Sequence, residues 1–300
     1  MARVSWLGLG AMGLPMARRL IEASHEVAAY DPVPASLEAL AASGGRAAAS
    51  ASDASANAEL VVVTVATPEQ ATAALFGSDG AAGALAPGAI VVVMSTIGPA
   101  AVRDLADRLA PLGVELLDAP MSGGVARAEQ GDLVVMVGGP RERFETCRPF
   151  LEQLGTTVAY VGETIGDGQA LKLVNQLLAG VHIAAAAEAL GFAAALGLDP
   201  RATWDVIRHG AAGSFMLNDR GARMLDAEFE PVRSALDIFV KDMGLVVSAA
   251  KARKLPTPLA AAAEQLYLAG SAEGLGRRDD SSLITLYERW AGKRVSDPER

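Results

Sequence analysis

The chain has 300 residues, 51% of them hydrophobic and 20% charged, a balance that builds a buried core and excludes an intrinsically disordered polypeptide. Its formal net charge of −9 repels a phosphate backbone or an anionic membrane surface, so nucleic acid is excluded as a partner. Small anions stay open, because local backbone N–H groups bind them whatever the net charge.

Up to residue 165, short Val/Ile/Leu runs alternate with helical stretches that begin or end at Gly, Pro, Ser or Asp. The runs lie at 4–7, 27–30, 60–65, 90–94, 114–117 and 133–137, with a seventh at 158–161. Most are continuously apolar, as strands covered on both faces are. The pattern predicts an α/β Rossmann domain over residues 1–165, with a doubly wound, mostly parallel sheet.

The first run leads directly into Gly8-Leu9-Gly10-Ala11-Met12-Gly13, a GxGxxG placed between a predicted strand and a predicted helix. Gly8 permits the tight turn and Gly10 lets a pyrophosphate approach the backbone. Gly13 lets helix and strand pack closely, and the helix N-terminus favours the phosphate charge. The second run ends at Asp31, eighteen residues beyond Gly13. A carboxylate there accepts ribose hydroxyls and repels a 2′-phosphate, so Asp31 points to NAD over NADP, with Arg46 as a cation nearby.

Ser95-Thr96 ends the 90–94 run where a nicotinamide is expected. Asp118-Ala119-Pro120-Met121-Ser122-Gly123-Gly124 follows the 114–117 run, and its Ser122, Gly123 and Gly124 expose consecutive N–H groups at a sheet edge, where a substrate carboxylate could sit. The single cysteine, Cys147, forms no intrachain disulfide and reads as a packing residue in a reducing cytoplasm. The first seven residues hold too short an apolar stretch for a signal peptide.

After Gly168 only helical spacing is seen, to about residue 290, broken at 197–200, 210–213, 230–231 and 255–258. An all-α C-terminal domain over 166–300 is expected, joined to the first by a long buried helix at about 169–196. Residues 177–198 would span ~33 Å as a helix at ~1.5 Å per residue. They include His182 and Glu188, and an acid near mid-span costs roughly 2.5–3.5 kcal/mol, so cover by protein and not by a membrane is expected. A helix this apolar needs more cover than one small domain offers, which predicts a homodimer or homotetramer. The polar tail after 291 reads as loose.

Lys172 and Asn175 stand at i and i+3 near the start of that helix, so an amine and an amide share one face. A lysine in apolar surroundings loses solvation of its charged form and can take a hydroxyl proton as a hydride leaves the carbon. Lys241, with Asp242 beside it, lies on a later helix where Asp237 could equally be its ion-pair partner. His25, His182 and His209 have no metal-ligand spacing, and no Ser-His-Asp or Cys-His elbow occurs, so no metal site is expected and a hydrolase is disfavoured.

Taken together, these segments resemble the β-hydroxyacid dehydrogenases, the family of 3-hydroxyisobutyrate dehydrogenase and tartronate semialdehyde reductase. Residues 8–17 are similar to that family's cofactor signature, 118–124 to its substrate loop and 166–175 to its catalytic segment. The resemblance implies that Lys172 is the catalytic base, that Ser122, Gly123, Gly124 and Asn175 hold substrate, and that Thr96 and Lys241 line the cofactor. Within the family, 172–183, 237–242 and Arg278-Asp279-Asp280-Ser281 look most similar to the L-threonate dehydrogenases, which implies NAD-dependent oxidation of a small hydroxy acid to the 2-keto acid. A 3-hydroxyisobutyrate dehydrogenase or tartronate semialdehyde reductase is the alternative, and a non-catalytic NAD-binding scaffold, which the presence of Lys172 disfavours, is a remoter one. The decarboxylating branch carries a glutamate where this chain has Ala179, so oxidation without decarboxylation is implied.

Overall fold

The structure, a computed structural model, describes residues 2–295. Contacts divide the chain into two compact units, the first running through Lys172 and the second starting at Leu173.

Among the described residues the first unit holds nine strands in one sheet: β1 (Arg3–Leu7), β2 (Glu26–Tyr30), β3 (Arg46–Ala47), β4 (Leu60–Val63), β5 (Ile90–Val93), β6 (Glu115–Asp118), β7 (Met121–Ser122), β8 (Val134–Gly138) and β9 (Thr157–Gly162). Their order is β3-β2-β1-β4-β5-β6-β8-β7, with β9 added to β8. Strands β1 to β6 pair in parallel. Strand β8 runs antiparallel to its neighbours β6 and β7, and β9 pairs with β8 in parallel. The order turns back between β1 and β4, and in such sheets ligands bind beyond the carboxyl ends of the strands at that reversal.

Alternation along each strand sends side chains to two separate cores. Val4, Trp6, Val62 and Val92 pack on one face. Leu7, Val61, Val63, Val91 and Val93 pack on the other. This double burial explains why the runs read as continuously apolar. Sequence periodicity did not register β3 and β7, because two residues are too few to establish an alternation.

In the second unit, helices Pro200–Ile207, Phe215–Leu225, Leu236–Ala252, Pro258–Gly270 and Ile284–Ala291 pack with the long helix Asp167–Ala195. Ile183, Leu190, Met243 and Tyr267 are fully buried in this core. Packing is close enough that a Cβ on Gly180 would lie 2.4 Å from the Met243 sulfur, and Tyr267 Oη donates to the Gly180 carbonyl at 2.8 Å.

The long helix is apolar and long enough to cross a membrane, yet 56% of its most apolar window is buried within the protein. Glu188, the acid in that stretch, accepts a hydrogen bond from Tyr287 Oη at 2.9 Å. In the single chain Leu171, Val174, Leu178 and Phe192 of this helix remain exposed, so one chain alone does not supply all the cover its apolar faces call for. The tail expected to be loose is packed as far as Val295, whose N–H donates to Glu288 and whose side chain joins the second core; 296–300 lie outside the described residues. Cys147 is buried among apolar side chains, and burial pushes its thiol up to about 12.

Candidate active site

Residue by residue, the first unit places its motif residues at the carboxyl ends of its strands. Gly8 follows β1, Asp31 follows β2, Ser95 and Thr96 follow β5, and Asp118 ends β6. The turn after β1 requires glycine at Gly8, where φ is +98°. A Cβ on Gly13 would lie 2.1 Å from the Gly8 carbonyl oxygen, so helix Gly13–Glu22 approaches β1 as closely as only glycine allows. At Gly10 a Cβ would meet nothing within 4 Å, which leaves open space in front of the loop and fits the approach of a pyrophosphate. A cavity of ≈ 500 Å³ opens there, lined among others by Leu9, Gly10, Ala11, Ser36 and Val125.

Three side chains brace the turn. Trp6 Nε1 donates to Thr64 Oγ1 at 2.8 Å, and the Thr64 hydroxyl donates to Gly8 O at 2.7 Å. Asp31 accepts from the Leu9 N–H at 2.6 Å and from the Val33 N–H at 2.8 Å. Oδ2 of Asp31 thus holds the loop and Oδ1 the turn after β2, and each keeps lone-pair capacity for a ribose hydroxyl. Arg46 is engaged elsewhere: it donates to Asp53 Oδ1 at 3.0 Å and to the Asp53 carbonyl at 2.7 Å. The N–H of Ala49, then Arg46, hold the Asp53 carboxyl below its usual range.

A second joint fixes the start of the long helix. Asp118, fully buried, accepts from the N–H groups of Gly166 and Gln169, each at 2.7 Å. Burial raises its carboxyl above the usual range while those N–H bonds pull it back. The Gln169 side chain, also fully buried, accepts from the N–H groups of Ile97 and Gly98 at 3.0 and 2.9 Å and donates to the Ser95 carbonyl at 2.8 Å. One amide therefore ties the first turn of the helix to the loop that carries Thr96. Lys172 follows Gln169 by three residues and is 6% exposed. The helix starts at Asp167, before the expected 169, because Asp118 takes up its first free N–H groups.

Ser122 lies on edge strand β7, and Gly123 and Gly124 carry φ of +146° and +73°. A Cβ on Gly123 would meet Leu133 at 2.9 Å, whereas one on Gly124 would meet nothing within 4 Å.

In the second unit, Asn175 and Lys241 are joined through two residues that the sequence did not single out for this. Asn175 Nδ2 donates to Gln176 Oε1 at 2.9 Å, and Gln176 Nε2 donates to Asp242 Oδ2. The ammonium of Lys241 lies 2.8 Å from Asp242 Oδ1. Asp237 instead accepts from Ser271 Oγ at 2.6 Å, so the ion pair weighed between Asp237 and Lys241 is replaced by one between neighbours on the helix. Gln169 and Asp118 lay inside motifs already quoted; nothing in spacing marks Gln176 or Asp242, since their role depends on a long-range pairing.

Residues 3–162 match the family described as the NAD binding domain of 6-phosphogluconate dehydrogenase, and residues 166–287 match the NAD-binding domain of NADP-dependent 3-hydroxyisobutyrate dehydrogenase. An L-threonate dehydrogenase of Cupriavidus necator is 41% identical over 281 residues, covering 94% of each chain. One from Haemophilus influenzae is 39% identical, covering 95% of this chain and 94% of its own. A solved structure of 3-hydroxyisobutyrate dehydrogenase from Salmonella typhimurium is 39% identical with a TM-score of 0.87, covering 94% of this chain and 99% of that one.

Proposed function

Because this chain belongs to the β-hydroxyacid dehydrogenase family, and is an oxidoreductase acting on CH–OH groups, we propose that it oxidises a four-carbon hydroxy acid such as L-threonate to the 2-keto acid, using NAD in preference to NADP. The observation that carries the reading is Lys172, a buried amine three residues beyond a side chain bonded directly to the Ser95–Gly98 segment. When bound, the nicotinamide ring accepts the hydride that leaves C2 of the substrate. Lys172 Nζ takes the hydroxyl proton as the C2–O bond becomes a carbonyl. The N–H groups at Ser122, Gly123 and Gly124 grip the substrate carboxylate and so fix which carbon reacts, while Asn175 holds a hydroxyl.

The residues of the glycine loop, 8–13, hold the pyrophosphate, Asp31 the ribose hydroxyls, and Thr96 and Lys241 line the dinucleotide. The preference for NAD is supported by the Asp31 carboxylate and by the commitment of Arg46 to Asp53, which leaves its charge already countered. The exposed apolar face of the long helix supports a homodimer or homotetramer, and the buried single thiol suits the cytoplasm.

A second reading, oxidation of 3-hydroxyisobutyrate, is favoured by the name of the solved relative. The test is NADH formation by the purified chain with L-threonate, D-erythronate, D-glycerate, 3-hydroxyisobutyrate and L-serine, each with NAD and with NADP. Fastest turnover of L-threonate with NAD is expected; fastest turnover of 3-hydroxyisobutyrate moves the substrate and keeps the chemistry. Lys172→Ala should lower kcat by about 10²–10⁴-fold with NAD affinity intact. Unchanged turnover in that variant removes Lys172 as the base.

A further inference from the structure

A carboxylate accepts hydrogen bonds and donates none, and that one-way chemistry runs from Asp242 to the side chain of Asn175. Asp242 is 2% exposed and Gln176 6% exposed, so neither has water to offer another arrangement. Facing Asp242, the Gln176 carboxamide must present its NH₂ group; its oxygen then faces Asn175, and Asn175 must answer with an N–H. The Lys241 ammonium lies 2.8 Å from the far oxygen of Asp242, so both carboxylate oxygens act as acceptors. Two neutral amides in series could point either way. The charge at one end removes that freedom.

We propose that Asp242, acting through Gln176, fixes the direction of the Asn175 carboxamide so that its Oδ1 is offered to substrate as an acceptor, making Asp242 and Gln176 positioning residues that select a hydrogen-bond donor, such as a hydroxyl and not an ether, beside the reacting carbon. The inference rests on the reading of Asn175 as a substrate-holding residue. A substrate with a hydroxyl at C3 satisfies Oδ1; one lacking it leaves that oxygen unpaired. Turned the other way, Asn175 would offer only N–H groups, which a hydroxyl and an ether oxygen both satisfy by accepting, so the direction decides between a C3 hydroxyl and a C3 ether.

The experiment measures kcat and KM for L-threonate and for its 3-O-methyl ether, whose C3 oxygen accepts but cannot donate, together with NAD affinity by titration. Wild-type enzyme is expected to favour L-threonate by about tenfold in kcat/KM, the value of one neutral hydrogen bond. Gln176→Met should narrow that ratio, mainly by lowering KM for the ether as Asn175 becomes free to turn its N–H groups outward, with NAD affinity unchanged because the Lys241–Asp242 pair remains. Asp242→Asn should narrow the ratio, since an amide can face Gln176 either way. The double substitution Gln176→Glu with Asp242→Asn should restore it: the carboxylate now stands at position 176 and accepts from both neighbours, so Asn175 keeps its direction. This reciprocal rescue separates polarity from loss of packing. A wild-type ratio near one, an unchanged ratio in Gln176→Met, or a double variant no better than Asp242→Asn alone overturns the proposal. A wild-type enzyme that oxidises neither acid brings down the functional reading itself, and this inference with it.

Discussion

At Gly10 and Gly13 the same substitution has opposite physical consequences. A Cβ on Gly13 would sit 2.1 Å from Gly8 O and 2.7 Å from Thr64 Oγ1, and these two atoms are bonded to each other, so neither can yield without opening the turn. Gly13→Ala should destabilise the protein by about 1–3 kcal/mol and abolish NAD binding. Gly10→Ala meets nothing within 4 Å, so thermal stability should be unchanged while NAD affinity falls, because the methyl occupies space the pyrophosphate needs. Melting curves and calorimetric titration check both; equal melting temperatures for the two variants would contradict the geometry. Cys147 gives a separate test at this scale. A thiol raised to about 12 is ~10⁻⁴ thiolate at pH 8, and it is also shielded, so alkylation should proceed only as fast as the protein opens.

Among the elements, the start of the long helix is where stability and chemistry meet. Gln169→Met keeps the volume but removes three hydrogen bonds to the Ser95–Gly98 segment, leaving two buried N–H groups and a carbonyl without partners. The expected result is a loss of roughly 1–3 kcal/mol in stability and a drop in kcat larger than any change in NAD affinity, because Lys172 rides on the loosened turn. Asp118 adds a pH dependence. Its carboxyl is raised by burial, so near and above the unfolded-state value of about 3.9 the folded chain binds more protons than the unfolded one. The stability this group contributes is greatest at low pH and falls as pH rises through the raised value. Denaturant unfolding of wild type and Asp118→Asn between about pH 4 and 7 should therefore show their difference shrinking as pH rises. A widening difference would reverse the sign of the shift.

Over the whole molecule, the division of labour between local and long-range information explains what could be read beforehand. The longer strands of the parallel sheet, the glycine turn and the helical second half announce themselves through periodicity, Gly and Pro, which act within a few residues. Strands β3 and β7 exist only through pairing with β2 and β8, and the Asp118–Gln169 and Gln176–Asp242 joints link residues 51 and 66 apart, so no local pattern carries them. The long helix combines both kinds of information. Leu171, Leu178, Ala185 and Phe192 recur at intervals of seven and are all exposed, with Val174 exposed, Val181 half-buried and Glu188 exposed at the intervening positions. A seven-residue apolar repeat open to water fits the seam of a helix that pairs with another helix. Light scattering should therefore give a mass of at least two chains. Leu178→Glu with Phe192→Glu places two acids in that seam without touching the buried face, so it should shift the mass toward one chain. The variant should also remove any dependence of the melting temperature on protein concentration. A wild-type protein that runs as a monomer, with a melting temperature independent of concentration, would show that this face meets water in the functional state.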